Sequence, residues 1–352
     1  MSSKRSSNNK LDALYSISHD KDVDGINAAA IVWRYAMQKN LTHDVVLTDY
    51  GGFDQAFKDV ARLRNTLIVV TDLGMDEEAM GLVIPRLRTA ISQGCRVVWL
   101  DHHFWPDEPI SALLSLDNKP VLKINHDHCA AEIAHKVLMP RDPICAELAR
   151  IAHDTDFNLR EIGAANSLTD AVSVIRFNAI DRKEDTTQAL YPLLEKLAEG
   201  GIGRIWDENL NRFKDHVLEQ RVKSYRRDKS KRMRKALIHH VDYEIDNRLV
   251  RIVEIPAGVT TTDMGTYVTD EKNLQLEGQS LPVADLFITL SPGGMLGFRR
   301  GSESVLCNEA ARIFNGGGHP YAAGGEYGLY SNFDAACDDI FLRLSENKGW
   351  IA

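Results

Sequence analysis

The sequence of 352 residues lacks any apolar run that approaches the roughly 20 residues of a membrane-spanning helix. Its first segment, Met1 to Lys10, is rich in Ser, Lys and Asn and has no apolar centre, which is typical of a disordered lead rather than of a signal peptide. We therefore expect residues 1–10 to be disordered. We also expect the protein to lack a membrane-spanning segment and to be located in the cytoplasm.

Cysteine is also scarce, and acidic residues outnumber basic ones. The five cysteines are scattered without a Cys-x-x-Cys spacing, so neither a zinc knuckle nor a disulfide framework is expected. The formal net charge of −8 argues against a general nucleic-acid coat, although a local basic stretch or bound metal ions could still hold an anionic substrate. With 44% hydrophobic and 26% charged residues, the chain is long enough for two domains with cores of their own.

The first predicted strand, Leu14 to Ser18, leads directly into an acidic loop, and a predicted helix from Ile26 to Gln38 follows. Asp22 and Asp24 are two residues apart, so in an extended segment their side chains point the same way, and Gly25 allows a tight turn into the helix. Bunched carboxylates repel one another unless a cation compensates them. A helix N-cap would explain one aspartate of this loop but not three, so the loop is interpreted as part of a site.

Two further strands end in the same way. Thr66 to Thr71 is an apolar strand followed by Asp72, and Val97 to Leu100 is an apolar strand followed by Asp101-His102-His103. In open α/β sheets, sites are built at the carboxyl edge of the strands. These side chains are therefore expected to meet the acidic loop at one edge of a sheet.

Strands and helices alternate through residues 11–160, which predicts an α/β fold with a doubly wound, mainly parallel sheet. The last helix of this region, Ile144 to Ile151, is followed by Asp154, another acid at the end of an element. The spacing leaves open whether Asp156 joins it.

Residues 161–235 are predicted to form a helical region and connector. The pattern is helical from Ala164 to Glu199, breaks at Gly200 to Gly203, and then indicates one long helix from Gly203 to about Lys235. The last part of that helix, Arg221 to Lys235, has nine basic residues and one acidic residue. It is either a solvated face or a surface that binds backbone phosphates.

Residues 236–352 are predicted to form a smaller α/β domain, because strand patterns replace the helical ones. Its most unusual stretch runs from Asn315 to Gly325 and contains Gly316, Gly317 and Gly318 beside His319. Consecutive glycines let backbone N–H groups approach an anion closely, and the histidine adds a donor or a stacking ring. A flexible linker is the alternative, but Tyr-Ala-Ala inside the stretch is small or apolar rather than solvating.

The strand-end acids and histidines form a chemically coherent set. Oxygen and imidazole ligands without thiolate suit Mn²⁺ or Mg²⁺ better than a structural zinc. Six ligands are more than one open catalytic ion needs, so two ions are expected, with Asp72 as the shared ligand. Two ions activate a water and neutralise charge on a phosphoryl group, which predicts phosphoester hydrolysis. The set is His19, Asp22, Asp24, Asp72, His102 and Asp154.

These motifs, in this order, resemble the DHH–DHHA1 phosphoesterases, and in particular their single-strand exonuclease and oligoribonuclease-like branch. The resemblance covers roughly residues 12–330, and the glycine motif is close to diagnostic of the second domain. The motifs are His-x-x-Asp-x-Asp-Gly (19–25), Asp72, Asp-His-His (101–103), Asp154 and Gly-Gly-Gly-His-x-x-Ala-Ala-Gly (316–324).

The resemblance implies a role for each matching residue. One ion would be held by His19, Asp22 and Asp72, and the other by Asp24, Asp72, His102 and Asp154. As catalytic residues, Asp101 would support the centre and His103 would contact the scissile phosphate. The nucleotide's phosphate or base would be gripped from the second domain by Arg299, Gly316, Gly317, Gly318 and His319.

One position departs from the family pattern. Family members usually place the first histidine two or four residues before the first aspartate, whereas His19 stands three residues before Asp22. Asp20 is therefore an alternative ligand at this position.

We expect a Mn²⁺-dependent phosphodiesterase that releases mononucleotides from single-stranded RNA or DNA or from short oligonucleotides. The chain ends soon after the glycine motif, which favours short substrates or a replication or repair protein partner. Hydrolysis of a cyclic dinucleotide or of a nucleoside bisphosphate is an alternative that the same metal set would serve. A catalytically silent replication scaffold is a third, but it would be marked by lost metal ligands, and here the acids all remain.

Overall fold

The computed structural model describes residues 11–276 and 278–352, and the chain divides into two compact units, Met1–Lys223 and Ser224–Ala352. The predicted disordered lead, residues 1–10, lies outside the described residues. Within the described residues, no helix is both long enough and apolar enough to cross a lipid bilayer.

Unit 1 is built on a five-stranded sheet in which every neighbouring pair of strands is parallel. The spatial order is β2-β1-β3-β4-β5. This parallel sheet, flanked by helices, confirms the predicted fold class. The strands are β1 (Ala13–His19), β2 (Thr42–Thr48), β3 (Thr66–Thr71), β4 (Arg96–Asp101) and β5 (Val121–Ile124).

The strand order places the chain reversal beside the predicted site. Strands β2 and β3 lie on opposite sides of β1, so the connection between them crosses β1 and leaves a switch point at the carboxyl ends of β1 and β3. All six residues of β3 are buried, as expected for a central parallel strand, and its apolar side chains pack on both faces of the sheet.

Helices connect the strands of unit 1 and cover the sheet. The helix after β3 is continuous through Pro85, and the side chain of Asp76 caps it by accepting a hydrogen bond from the N–H of Ala79 at 2.8 Å. The helices up to residue 156 are α1 (Val23–Lys39), α2 (Phe53–Ala56), α3 (Glu77–Ser92), α4 (Asp107–Leu114), α5 (Ala130–Leu138) and α6 (Pro143–Asp156).

The helical stretch that follows is two helices, α7 (Gly163–Arg182) and α8 (Thr186–Gly200). Lys183 ends the first in the left-handed region, with φ 58°. Both helices belong to unit 1, and the hydroxyl of Thr187 accepts a hydrogen bond from the N–H of Leu47 in β2 at 2.9 Å.

The prediction of one long helix from Gly203 is wrong for the residues before His216. A two-stranded hairpin, β6 (Trp206–Asp207) and β7 (Arg212–Phe213), replaces it, and helix α9 spans only His216–Ile238. The cause is turn chemistry, because the Asp207 carboxylate accepts hydrogen bonds from the N–H groups of Asn209 and Leu210 at 3.1 and 3.2 Å. The basic stretch lies on α9, which runs through the division between the units.

Unit 2 contains a six-stranded mixed sheet with the order β14-β15-β13-β12-β9-β8. Strands β9 and β12 are parallel, and the other neighbours are antiparallel. The sequence patterns had not indicated β8, β14 or β15. These strands are β8 (Val241–Ile245), β9 (Arg248–Glu254), β12 (Leu286–Leu290), β13 (Met295–Arg300), β14 (Gly317–His319) and β15 (Ala322–Glu326).

The two faces of this sheet carry separate cores. One core includes Phe298, Phe314 and Trp350, and the other includes Phe287 and Met264. Unit 2 also contains the short pair β10 (Gln275–Leu276) and β11 (Gln279–Ser280) and the helices α10 (Thr261–Thr269), α11 (Cys307–Arg312) and α12 (Phe333–Glu346).

Candidate metal centre

The loop after β1 is folded tightly against the strand that it leaves. Asp22 caps α1 and accepts a hydrogen bond from the N–H of Gly25 at 3.1 Å. A Cβ atom at Gly25 would lie 2.3 Å from the carbonyl oxygen of His19, so only glycine fits there. The close approach brings the first turn of α1 against His19 and places Asp22 and Asp24 at the carboxyl edge of the sheet.

Asp72 lies between the side chains contributed by β1 and those that follow β4. Its Oδ2 atom is 3.4 Å from Nδ1 of His19, and its Oδ1 atom is 3.2 Å from Nε2 of His102. The backbone of Asp72 is left-handed, with φ 56°, a conformation that aspartate and asparagine adopt more readily than most residues. Each oxygen of one carboxylate therefore faces a different imidazole.

Among the residues that the structure describes, three groups of side chains have ligand atoms close enough together to hold a metal ion, all within 4.8 Å of one another in each group. Asp72 belongs to two of the groups, and His102 also belongs to two. The groups are His19 with Asp22 and Asp72, Asp72 with His102 and His103, and Asp24 with His102 and Asp156.

Asp24 is fixed by the N-terminus of α5. Its two oxygens accept hydrogen bonds from the N–H groups of Ala130 and Ala131 at 2.7 and 2.8 Å. Unpaired N–H groups at a helix start bind anions, so they hold this carboxylate in place although it is only 1% exposed. The role of α5 as a support had no signal in the sequence, because it joins residues more than 100 positions apart.

Asp156 brings its carboxylate to the cluster. Oδ2 of Asp156 lies 3.6 Å from Nδ1 of His102. Oδ1 of Asp154 instead accepts a hydrogen bond from the N–H of Glu161 at 2.9 Å, while its Oδ2 is buried without a hydrogen bond in the described part of the chain. The structure thus adds the residue that the spacing left open, and the predicted role of Asp154 as a ligand stays a prediction.

The position of the first histidine can also be read from the structure. His19 faces the cluster, whereas the alternative, Asp20, accepts a hydrogen bond from Nε of Arg176 at 3.0 Å. Asp49, which the sequence reasoning missed, lies 3.5 Å from Nε2 of His19 and also pairs with Lys21. The geometry favours His19 as the ligand and gives Asp20 a structural partner on α7.

Asp101 orients the second histidine of the Asp-His-His motif. One of its oxygens lies 2.8 Å from Nδ1 of His103, and the other accepts a hydrogen bond from Nε1 of Trp105 at 2.6 Å. Asp101 is completely buried, whereas the His103 side chain is 36% exposed and so remains accessible to solvent. Trp105 was not among the predicted site residues.

The negative charge of the cluster shifts the pKa values of its members. Burial acts to lower the pKa of His19, but the neighbouring carboxylates of Asp22, Asp49 and Asp72 raise it to about 12. Burial and repulsion from Asp72 and Asp156 raise the pKa of Asp24 well above its ordinary value. The site therefore holds more negative charge than its own side chains can neutralise.

The donor set fits divalent cations that prefer oxygen and imidazole ligands. Both ring nitrogens of His19 and Oδ2 of Asp72 are buried, and in the described residues no hydrogen bond of acceptable geometry reaches them. Buried polar atoms are normally satisfied, so such atoms aimed at one another point to a missing cationic partner. No cysteine belongs to any of the three groups, which matches Mn²⁺ or Mg²⁺ better than a thiolate-bound metal.

The predicted substrate-binding residues of unit 2 lie on neighbouring strands. Arg299 pairs in register with Ala322, and Ala322 pairs with His319, so the three residues share one row across β13, β15 and β14. The next row along the same face is made of Gly297, Gly324 and Gly317. One small residue, Ala322, thus separates Arg299 from His319 in this row.

The predicted glycines do not all have the same function. A Cβ atom at Gly316, in the turn between α11 and β14, would lie 2.0 Å from the carbonyl oxygen of Gly324, and Gly318, within β14, has φ 139°, so both positions require glycine. Gly317 has open space around it. His319 is exposed and its ring stacks on that of Tyr321, with centroids 5.2 Å apart.

The fold is similar to that of several solved structures. RecJ from Thermus thermophilus, in complex with Mn²⁺, is 16% identical with a TM-score of 0.54, and the match covers 95% of this chain and 51% of RecJ. An exopolyphosphatase-related protein from Bacteroides fragilis is 15% identical with a TM-score of 0.50, over 96% of this chain and 93% of that protein. The pGpG-specific phosphodiesterase PggH from Vibrio cholerae is 12% identical with a TM-score of 0.50, over 95% and 99%.

The domain match and the ligand set together indicate a metal-dependent phosphoesterase. Residues 15–159 match the family model of the DHH family, N-terminal domain, and contain all of the strand-end acids and histidines described above. A search of curated protein sequences gives no significant match.

Proposed function

We propose that the protein is a Mn²⁺-dependent phosphodiesterase that hydrolyses single-stranded nucleic acid or short oligonucleotides to mononucleotides. The observation that carries the proposal is the position of Asp72, whose two oxygens face His19 on one side and His102 on the other. A carboxylate shared in this way suits a pair of ions better than a single one. Mg²⁺ is the alternative ion.

In unit 1, some residues would hold the metal ions and others would contact the phosphate of the substrate. When bound, two ions would supply Lewis acidity that activates a water and neutralises charge on the phosphoryl group. His19, Asp22 and Asp72 would hold one ion, and Asp24, His102 and Asp156 would hold the other together with Asp72. His103, oriented by the buried Asp101, would contact a phosphate oxygen.

Unit 2 would bind the substrate rather than react with it. We assign it as a DHHA1-type domain on its glycine motif, and we propose that Arg299 and His319 bind the nucleotide's phosphate or base. The intervening Ala322 and the open Gly317 leave room for an anion to reach the sheet backbone.

The similar structures support this proposal in two ways. The T. thermophilus RecJ structure contains Mn²⁺, and the V. cholerae protein is a phosphodiesterase specific for pGpG, a dinucleotide.

The five free cysteines are all buried, which fits a reducing compartment such as the cytoplasm.

The test is an assay with Mn²⁺ over labelled RNA ladders, DNA ladders and cyclic dinucleotides, with wild-type protein and Asp72→Asn. Asparagine tolerates the left-handed backbone of Asp72, so the variant should fold while it loses a ligand to both ions. Release of mononucleotides by the wild type, with a rate at least about 10³-fold lower in Asp72→Asn, is expected. If the wild type hydrolysed only cyclic dinucleotides, the proposal that it acts on linear nucleic acid would be wrong. A variant within tenfold of the wild type would show that Asp72 is not the shared ligand.

A further inference from the structure

Phe104 follows the Asp-His-His motif directly, yet 86% of its surface is exposed to solvent. Single exposed apolar side chains are common on soluble proteins and need no special explanation. The ring of Phe104, however, lies face to face with the imidazole of His126, with ring centroids 4.1 Å apart and an interplanar angle of 19°. Phe104 therefore presents one face to His126, and its surface remains largely accessible.

His126 is itself attached to the metal centre. Its Nδ1 atom lies 2.6 Å from the carbonyl oxygen of His102, and because a carbonyl can only accept, Nδ1 is the donor. The side chain of His102 is in turn 3.2 Å from Asp72. One of the candidate ligands thus contributes its imidazole to the cluster and its backbone to the support of the aromatic pair.

The two rings come from different loops at the carboxyl edge of the sheet. Phe104 lies just beyond β4, and His126 lies just beyond β5, the neighbouring strand. Phe104 is the residue directly after His103, and His126 is hydrogen-bonded to the backbone of His102. The aromatic pair is therefore attached to the two histidines of the Asp-His-His motif.

We propose that Phe104, backed by His126, is a stacking platform for a nucleobase of the substrate. The proposal rests on the proposed function and identifies the part of the substrate, the base, that this edge of unit 1 would recognise. Every nucleobase has a π-face, so an aromatic platform binds bases with little sequence preference. Phe104 is a positioning residue, because it would hold the nucleotide and would not touch the reacting atoms.

The experiment compares a dinucleotide with a matched phosphodiester in which both bases are absent. Phe104→Ala should raise KM for the dinucleotide about tenfold with kcat unchanged, since loss of one base stack weakens binding by about 1.4 kcal/mol. The abasic phosphodiester should be hydrolysed equally well by both proteins. Phe104→Trp should restore the wild-type KM. The matched control is Leu210→Ala, which removes another exposed apolar side chain of unit 1, 56% exposed, and should leave both substrates unaffected.

A binding measurement separates this inference from the proposed function. A dinucleotide that carries 2-aminopurine is quenched when its base stacks, so the wild type should quench its fluorescence and Phe104→Ala should not. This readout holds even if the dinucleotide is not hydrolysed, in which case only the proposed function fails. Equal quenching by wild type and Phe104→Ala, or an equal loss of activity on the dinucleotide and the abasic substrate, would overturn the stacking platform.

Discussion

The guanidinium of Arg251, which has no exposed surface, pairs with the carboxylate of Asp242 through two hydrogen bonds of 2.8 and 2.7 Å. A third hydrogen bond runs from Nη1 of Arg251 to the carbonyl oxygen of Pro282 at 2.9 Å. The pair joins β8 to β9 in the sheet of unit 2. A buried charge with this geometry depends on its partner, because removal of the carboxylate charge would leave the guanidinium desolvated and uncompensated.

We predict that Asp242→Asn lowers the unfolding free energy of unit 2 by about 3 kcal/mol, because it leaves the Arg251 charge buried and unpaired. Asp246→Asn is the matched control. Asp246 pairs with Lys348 at 2.8 Å, but both side chains are about half exposed, so its loss should change the unfolding free energy by less than about 1 kcal/mol. Urea unfolding followed by fluorescence measures both, and similar effects of the two substitutions would contradict the prediction.

The same pair should produce a defined pH dependence. Burial acts to raise the pKa of Asp242, but hydrogen bonds to His240 and Arg251 lower it to about 2. A carboxylate with a lowered pKa stabilises the folded state fully above its unfolded value, about 3.9, and loses that contribution as the pH falls towards 2. The difference in unfolding free energy between wild type and Asp242→Asn should therefore be constant from pH 5 to 8 and shrink below pH 4. If the difference in unfolding free energy between the two proteins grew as the pH fell, the pKa of Asp242 would be raised rather than lowered in the folded state, and the prediction would be wrong.

Chelation should abolish activity, and Mn²⁺ should restore it better than Ca²⁺. The three candidate ligand groups are compact and share residues, whereas Ca²⁺ prefers longer bonds and a higher coordination number. Activity is measured after EDTA treatment and dialysis against each ion. Full activity in an excess of chelator would exclude a metal-dependent reaction.

Substitutions in unit 2 should weaken substrate binding without affecting the metal centre. Arg299→Ala and His319→Ala should leave the metal content normal, because neither residue belongs to a candidate ligand group, while kcat/KM falls for an oligonucleotide. A small activated phosphodiester that does not reach these side chains should lose little. Metal analysis and paired kinetics test this, and an equal loss on both substrates would mean that the residues act through the fold.

Asp72 and the Asp101-His102-His103 motif could be predicted because each stands at the end of a mainly apolar strand. Thr66–Thr71 and Arg96–Asp101 are central strands of a parallel sheet, so their sequences carry no polar alternation that could mislead. The register of those strands then brings Asp72 and His102 together without any further information. Asp49 also directly follows a strand, β2, so the same rule could have indicated it, whereas the contact of Trp105 with Asp101 depends on how the loop after β4 folds.

The hairpin that precedes α9 shows why a helical spacing can mislead. Trp206 and Phe213 recur at helical spacing, but in the structure they pair across β6 and β7 with their rings 5.1 Å apart. The residues between them favour a turn, as Asp207 binds nearby N–H groups and Asn211 is left-handed with φ 47°. Local hydrogen bonds of this kind outweigh periodicity over a short segment.

The crowded carboxylates of unit 1 make its folding depend on its ionic surroundings. Asp22, Asp72 and Asp156 each repel the negative charge of Asp24, which is bound at the start of α5. An ion that binds these groups only when they are assembled stabilises the folded state in proportion to the logarithm of its concentration. The melting temperature of unit 1 should therefore rise with the concentration of divalent cations. That of unit 2 should not, because its buried charge, on Arg251, already has a protein partner in Asp242.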